Sequence, residues 1–352
     1  MMSTAFANME QQVRTLPPNT PITDEQPWFR DILPAGAGVG FGFANNTDLV
    51  ARGLAPLPHR GDFADTIQAL ASFGLLPANV GMGSQYSEFT YYTNKGFSSY
   101  NGLLITLHKN AGYGLQFDLN YTWSHSIDNV SVIANAPAIG GYGFICDVVR
   151  SHECRGNSDF DVTNYLSGNF IYDLPFGRGR SLGANAPLWA NELIGGWGLS
   201  GLPSWHTGNA YFAASNAFVA GYANDAPATL TGPISDLKAR VNGGEGARVY
   251  AYTNPDAALA DFTGPVGFQI GTRNNLRGPG WFNIDLGLGK TFPIYKERVN
   301  LKFRADAFNA TNHPSFDNPS TDITESSGTP FGNIGGTASS ARVLQGALRL
   351  EF

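Results

Sequence analysis

Two cysteines, six histidines and 28 acidic side chains are the groups in this 352-residue chain with the chemistry to bind a metal or move a proton. Cys146 and Cys154 bracket His152 and Glu153. As a metal set these four lack a second Cys-x-x-Cys or a His pair at ligand spacing. Two nearby cysteines in an exported chain form a local disulfide by default, and that is the expectation for Cys146 and Cys154. Asn157, Asp159 and Asp161 alternate in Gly156-Asn157-Ser158-Asp159-Phe160-Asp161. Alternating oxygens resemble a Ca²⁺ loop, but the loop length and closing Glu of an EF-hand are missing. Turn and capping roles are therefore expected for them. Neither Gly-x-Ser-x-Gly nor His-Glu-x-x-His occurs, and the histidines are scattered. The glycine run Gly36, Gly38, Gly40, Gly42 has no strand-turn-helix context and no P-loop lysine, so it reads as flexible loop rather than phosphate cradle. No metal, no cofactor and no catalytic residue is expected, and the chain does not read as an enzyme.

The remaining charges must be judged by the elements that carry them. Leu115, Phe117, Leu119, Tyr121 and Trp123 alternate with Gln116, Asp118, Asn120, Thr122 and Ser124 without an exception. Phe282, Ile284, Leu286 and Leu288 oppose Asn283, Asp285, Gly287 and Gly289, while Val299, Leu301 and Phe303 oppose Asn300, Lys302, Arg304 and Asp306. The chain ends on Leu344, Gly346, Leu348, Leu350 and Phe352 against Val343, Gln345, Ala347, Arg349 and Glu351. A period of two with faces this different separates an apolar medium from a wet one. Leu103, Ile105 and Leu107, the segment 164–173 and the segment 195–206 complete seven strands. At about 10–12 residues each, they suit a tilted membrane strand of ~9–11. The apolar set Leu115, Phe117, Leu119, Tyr121, Trp123, Phe282, Ile284, Leu286, Leu301, Phe303, Leu348, Leu350 and Phe352 is expected to face lipid. The polar set Gln116, Asp118, Asn120, Asp285, Lys302, Arg304, Asp306, Arg349 and Glu351 is expected to face a barrel lumen. There its charges pair across strands or hold a plug rather than do acid–base work.

Composition agrees. Charged residues are 14% of the chain against a typical value of about 25%, with 43 Gly and 12% aromatics. Mean hydropathy is −0.15, and no apolar run approaches the roughly 20 residues of a membrane helix. A net charge of −6 without a basic stripe argues against nucleic acid. Connections alternate in length: short at 109–112, long at 125–162, medium at 174–194, long at 207–280, short at 292–296 and long at 310–340. Bacterial outer-membrane barrels show this asymmetry, with the long loops outside the cell. Residues 1–95 show no sustained alternation and read as an irregular extracellular loop region with short helices at Asn8–Leu16 and Asp62–Leu70. Residues 96–352 then form the barrel part. The N-terminus lacks a basic n-region and an apolar h-region. Seven strands also cannot close a conventional single-chain bacterial barrel. The expectation is that Met1 is not the natural start and that this is the C-terminal part of a larger barrel.

Several segments together resemble the Oar-like branch of the TonB-dependent outer-membrane receptors. They are Tyr100-Asn101-Gly102-Leu103, the run Gly114 to Asp128, Tyr172-Asp173-Leu174-Pro175-Phe176-Gly177-Arg178-Gly179-Arg180 with Gly195-Gly196-Trp197, Asn275 to Asp285, and Phe303 to Pro314. The resemblance spans residues 100–352 in order. It implies an all-β antiparallel transmembrane barrel of roughly 22 strands with an N-terminal plug, often preceded by a carboxypeptidase-regulatory-like domain. It also implies a Gram-negative outer membrane and ligand import energised through TonB. No plug or TonB box is recognisable here, so TonB would be reached only through further N-terminal parts. The other partners are outer-membrane lipid, the barrel-assembly machinery through the C-terminal strand, and an extracellular ligand held by loops and lumen. The alternative is a non-transporting surface protein whose loops make adhesive or assembly contacts.

Overall fold

The computed structural model describes residues 1–80, 93–131, 150–219, 226–237, 240–243, 248–295 and 299–352. Seven long strands carry the period-two pattern. They are β1 (Ser98–Gly112), β2 (Leu115–Asp128), β3 (Asn164–Asp173), β4 (Trp197–His206), β5 (Trp281–Tyr295), β6 (Val299–Phe308) and β7 (Val343–Glu351). They pair in sequence order, each antiparallel to the next, as one up-and-down sheet whose outer members are β1 and β7. The sheet is open: β1 and β7 do not pair with each other. The β1–β2 hairpin turns on Tyr113 and Gly114, with φ of 55° and 79°. Two positive φ values suit the right-handed twist of the flanking strands. This turn lies later than the 109–112 expected from sequence, because β1 runs on to Gly112 through a register shift after Lys109. β5 likewise continues through Pro293 to Tyr295, where a turn over 292–296 is expected; residues 296–298 lie outside the described set.

Strict antiparallel order sends alternate connections to opposite ends. The Tyr113–Gly114 turn, residues 174–196 and the β5–β6 connection belong to one end. The connections from β2 to β3, β4 to β5 and β6 to β7 belong to the other, as does the start of β1.

No apolar side chain of the seven strands is fully buried among the described residues. The buried cores lie instead in the segments that sequence periodicity leaves irregular. Residues 1–76 form a helical body of α1 (Met2–Thr15), α2 (Pro27–Ile32), α3 (Ala37–Gly40), α4 (Asn46–Gly53), α5 (Leu57–Arg60) and α6 (Phe63–Ser72). Asn45 caps α4 by accepting from the Asp48 amide at 2.9 Å, and Asp62 caps α6 through the Asp65 amide at 3.1 Å. The inward sides of these helices meet in a core of Phe6, Met9, Ile22, Phe29, Val50 and Leu70. The description "irregular" thus corrects to a packed helical unit, although α1 and α6 do cover the two expected helical stretches.

The second core joins the β4–β5 and β6–β7 connections. Tyr211, Tyr252, Phe262, Leu276, Phe331 and Ile334 pack together with several alanines. Two-residue ladders stitch the loops around this core, pairing Leu276–Arg277 with Ala210–Tyr211 and Asn333–Ile334 with Val249–Tyr250. The short helix α8 (Pro255–Ala260), capped by Asn254, packs on the same body. One further helix, α7 (Leu188–Ile194), sits alone in the β3–β4 connection with no buried residue.

Candidate functional site

The sheet sorts its side chains by register. Leu107 stands opposite Leu119, Ile105 opposite Tyr121 and Leu103 opposite Trp123. The row continues across Phe117–Phe170, Leu166–Trp205, Phe282–Trp205, Leu288–Leu199, Leu301–Leu350 and Phe303–Leu348. All the residues expected to face lipid on the described strands fall on this one face. Leu344 and Leu348 there are 71% and 69% exposed, so no other described part of the chain covers them. Phe352 follows the last strand and is fully exposed.

The opposite face carries the expected polar set, and all but Gln116 pair locally among the described residues. Thr106 donates to Asn120 at 3.0 Å, and His108 pairs with Asp118. Lys302 meets Glu351 at 2.8 Å, Arg304 meets Asp306 at 2.8 Å, and Arg349 meets Glu351 at 3.3 Å. Asp285 accepts from Asn283 at 3.0 Å and from the Asn309 amide at 2.8 Å. Both faces have exceptions. Leu104, Ile171 and Leu202 share the polar face with Thr122, Gln116 and Asp285, their cross-strand partners. Lys290 lies on the apolar face opposite Trp197 and Phe303.

At the end with the long connections, arginines tie separate loops to the sheet. Arg273 donates to the Asp128 carboxylate at 2.6 Å and its carbonyl at 3.1 Å, approaches Asp159 at 3.3 Å, and bonds Ser131. Arg277 bonds the Asp161 carboxylate and donates to its carbonyl at 2.7 Å. Asp161 also accepts from the Ser126 amide at 2.5 Å. Asn274 reaches Asp159 at 2.6 Å and exchanges side-chain-to-backbone bonds with Asn157 at 2.7 and 2.8 Å. The carboxylates of Asp159 and Asp161 are therefore taken by arginines and amides, and Asn157 is tied to Asn274 through its side-chain amide and its backbone carbonyl. No cluster of acidic, His or Cys side chains with metal-site geometry occurs among the described residues. Cys154 is fully buried beside Val130 and Ile270 and is disulfide-bonded, whereas Cys146 lies outside the described residues.

The helical body docks on the loop body through α1. Glu10 is fully buried and accepts from the Gly267 amide at 2.6 Å; its other oxygen has no partner. Burial pushes this carboxyl up to about 7, against the pull of the Gly267 amide and the Arg14 charge. Arg14 donates to the carbonyls of His59 at 3.0 Å, Gly264 at 3.1 Å and Pro265 at 2.7 Å. Phe63 stacks edge-on against Phe268 at 4.4 Å, and the Ala64 amide bonds the Phe218 carbonyl at 2.9 Å. Asp62, at the same junction, is raised to about 6 by burial. In the loop core the hydroxyls of Tyr211 and Tyr252 bond each other, and burial pushes Tyr252 up to about 12.

Sequence reasoning passes over Glu10, Arg14 and Arg273, because a lone charge has no periodic signal. The one available hint is scarcity: in a chain only 14% charged, each Arg within an irregular stretch is worth tracing.

Residues 45–345 match the model of a family described as an outer membrane beta barrel domain. The match begins just before α4, crosses the whole sheet and ends inside β7. No curated protein and no solved structure matches the chain.

Proposed function

Because the chain belongs to the outer membrane beta barrel domain family, we propose that its open sheet is an arc of a larger receptor barrel of the TonB-dependent, Oar-like type. In this reading the continuous apolar face meets lipid and the paired polar face lines the lumen. The long-connection end, with the loop body and the helical body, faces the medium. The free edges of β1 and β7 are completed by further strands, since an open edge is not tolerated in hydrocarbon. β7 is the element offered to the assembly machinery. Ligand is gathered by the loop body and passed toward the lumen beneath it, with energy arriving through TonB-coupled parts.

The observation that carries the reading is the placement of the two buried cores at one end of a sheet that has none. A loop assembly with its own core and arginine clamps holds a defined surface above a pore mouth. The amphipathic wall below needs lipid to cover it.

Single cysteines at two exposed positions test the orientation in intact cells, using a membrane-impermeant maleimide. Ser326→Cys lies in the β6–β7 connection and Ala184→Cys in the β3–β4 connection. Labelling at 326 but at 184 only after permeabilisation is expected, and the reverse pattern refutes the orientation. Import is tested by uptake of candidate ligands with and without a protonophore. Surface binding that persists with no energy-dependent uptake would make this a non-transporting surface protein.

A further inference from the structure

The β3–β4 connection carries apolar surface that nothing among the described residues covers. On α7, Leu188, Trp189 and Leu193 are 68%, 71% and 63% exposed, and Ile194 is exposed too. A seven-residue helix is too short to persist on propensity alone, so something must hold and cover it.

The holding groups come from the apolar face of the sheet. Trp197 donates its indole N–H to the Leu193 carbonyl at 2.8 Å, and the Lys290 ammonium bonds the Glu192 carbonyl. Both carbonyls belong to the last turn of α7, where a cation complements the helix end. Lys290 is only 6% exposed; its ammonium lies 4.7 Å from the Phe292 ring centre and 5.5 Å from that of Trp197. Trp197 and Lys290 are opposite one another in the β4–β5 ladder, on the row that continues into Leu199 and Leu288. This explains why a lysine sits on the apolar face: its stem follows the sheet while its charge reaches the rim.

The same connection also presents cations. Asn191 of α7 accepts from the Arg178 amide at 2.7 Å, fixing the Pro175-Phe176-Gly177-Arg178-Gly179-Arg180 turn against the helix. Phe176 and Leu182 pair across that turn and are both exposed. Arg178 and Arg180 are exposed, and neither has an ion-pair partner among the described residues.

From this geometry we propose that α7 and the 175–182 turn form an interfacial anchor, seated in the phospholipid leaflet at the short-connection end of the barrel. Leu188, Trp189 and Leu193 enter the boundary between headgroups and acyl chains, and Arg178 and Arg180 meet the phosphates of anionic phospholipid. Continuity selects the occupant. The anchor hangs from the face that meets lipid, at the height where Trp197 and Lys290 mark the rim, and it combines exposed aromatics with unpaired guanidinium groups.

The proposal rests on the membrane reading of the sheet, so its test includes a strand position. The full-length protein is produced in its native host with a photoreactive benzoylphenylalanine replacing Trp189, Trp123 or Ser326 in turn. Adducts are then identified by mass after irradiation of whole cells. Phospholipid adducts are expected at 189, lipid adducts at 123, and none at 326. A lipid adduct at 123 with none at 189, or a protein cross-link at 189, overturns the anchor and leaves the barrel wall standing. Lipid A adducts at 189 place the anchor in the wrong leaflet and overturn it as stated. Absence of lipid at both 123 and 189 overturns the membrane reading together with the anchor. Combining Arg178→Gln and Arg180→Gln should lower the anionic share of the adducts at 189. An unchanged share removes the phosphate contacts from the proposal.

Discussion

Replacing Glu10 with glutamine should flatten the pH dependence with which the helical body grips the loop body. Burial raises the Glu10 carboxyl from an ordinary 4.5 to about 7. At roughly 1.4 kcal/mol per unit, ionising it in place costs about 3 kcal/mol relative to ionising it in water. Because the folded value is the higher one, the docked state binds the extra proton between these two values. Its contribution is fully present below about pH 4.5 and is lost as pH rises through about 7. Asp62 shifts in the same direction, from 3.8 to about 6, so it confuses the result at lower pH. Above about pH 6 most of the Asp62 change is complete, and about 1 kcal/mol of the Glu10 change remains.

Hydrogen exchange of α1 peptides, corrected for intrinsic rates, reads this directly. Between about pH 6 and 8 the protection of α1 in the natural sequence should fall roughly fivefold to tenfold. In the Glu10→Gln protein it should stay level, because the amide carbonyl still accepts from Gly267 while nothing remains to ionise. An equal fall in both proteins would refute the reasoning, since the pH dependence would then come from elsewhere. A natural protein with no fall would show that water or a cation reaches the unpaired carboxylate oxygen.

Arg273→Met should loosen residues 150–163, because Asp128, 2% exposed, would lose its cation; breaking such a buried pair costs about 3–5 kcal/mol. Limited proteolysis in native membranes checks it, with new cleavage in 150–163 as the expected outcome. Leu286→Arg places a charge on the apolar face and should cost about 2–4 kcal/mol if that site is near the midplane, whereas Gln345→Arg on the polar face should cost little. The comparison is the yield of folded protein in outer membranes, and equal yields would count against the assignment of the faces. Tyr211→Phe and Tyr252→Phe each strand a buried hydroxyl or its space and should cost about 1–3 kcal/mol, while the double variant recovers part of that loss. Denaturant titration of the three proteins measures the coupling.

The strands were legible because their signal is local: five apolar and five polar residues in strict alternation need no knowledge of the rest of the chain. The pairing then follows from sequential order, and residues such as Phe117, Leu286 and Leu350 fall on the shared face that alternation assigns them. The short helix expected from Asp62 to Leu70 is legible for the same reason, since a short amphipathic run carries its signal locally. The loop body is another matter. Its core is assembled from Tyr211, Tyr252 and Phe262 of the β4–β5 connection and Phe331 of the β6–β7 connection, widely spaced along the chain with no repeat to detect. The contact from Glu10 to Gly267 spans 257 positions, and that from Arg273 to Asp128 spans 145. Lys290 misleads in the opposite way. Alternation places it among apolar residues, and only the three-dimensional neighbours Trp197, Phe292 and Glu192 show why a charge belongs there.

The distribution of burial also constrains the surroundings of each part. A soluble sheet of seven strands would keep at least one apolar row under helices or a second sheet. Here the apolar row runs from Leu103 to Leu350, interrupted by Lys290, and none of its apolar side chains is fully buried, while aromatics and aliphatics of similar size are fully buried a short distance along the chain. The same polypeptide therefore contains one part whose core is internal and one part whose cover must come from outside. Water is a poor cover for the second part, because exposed apolar rows at this scale drive aggregation. Hydrocarbon suits the side chains and penalises unpaired backbone, which this sheet presents along the outer edges of β1 and β7. On the proposed reading the wall takes lipid on one face and further strands at both edges, whereas the loop body above it carries a core of its own.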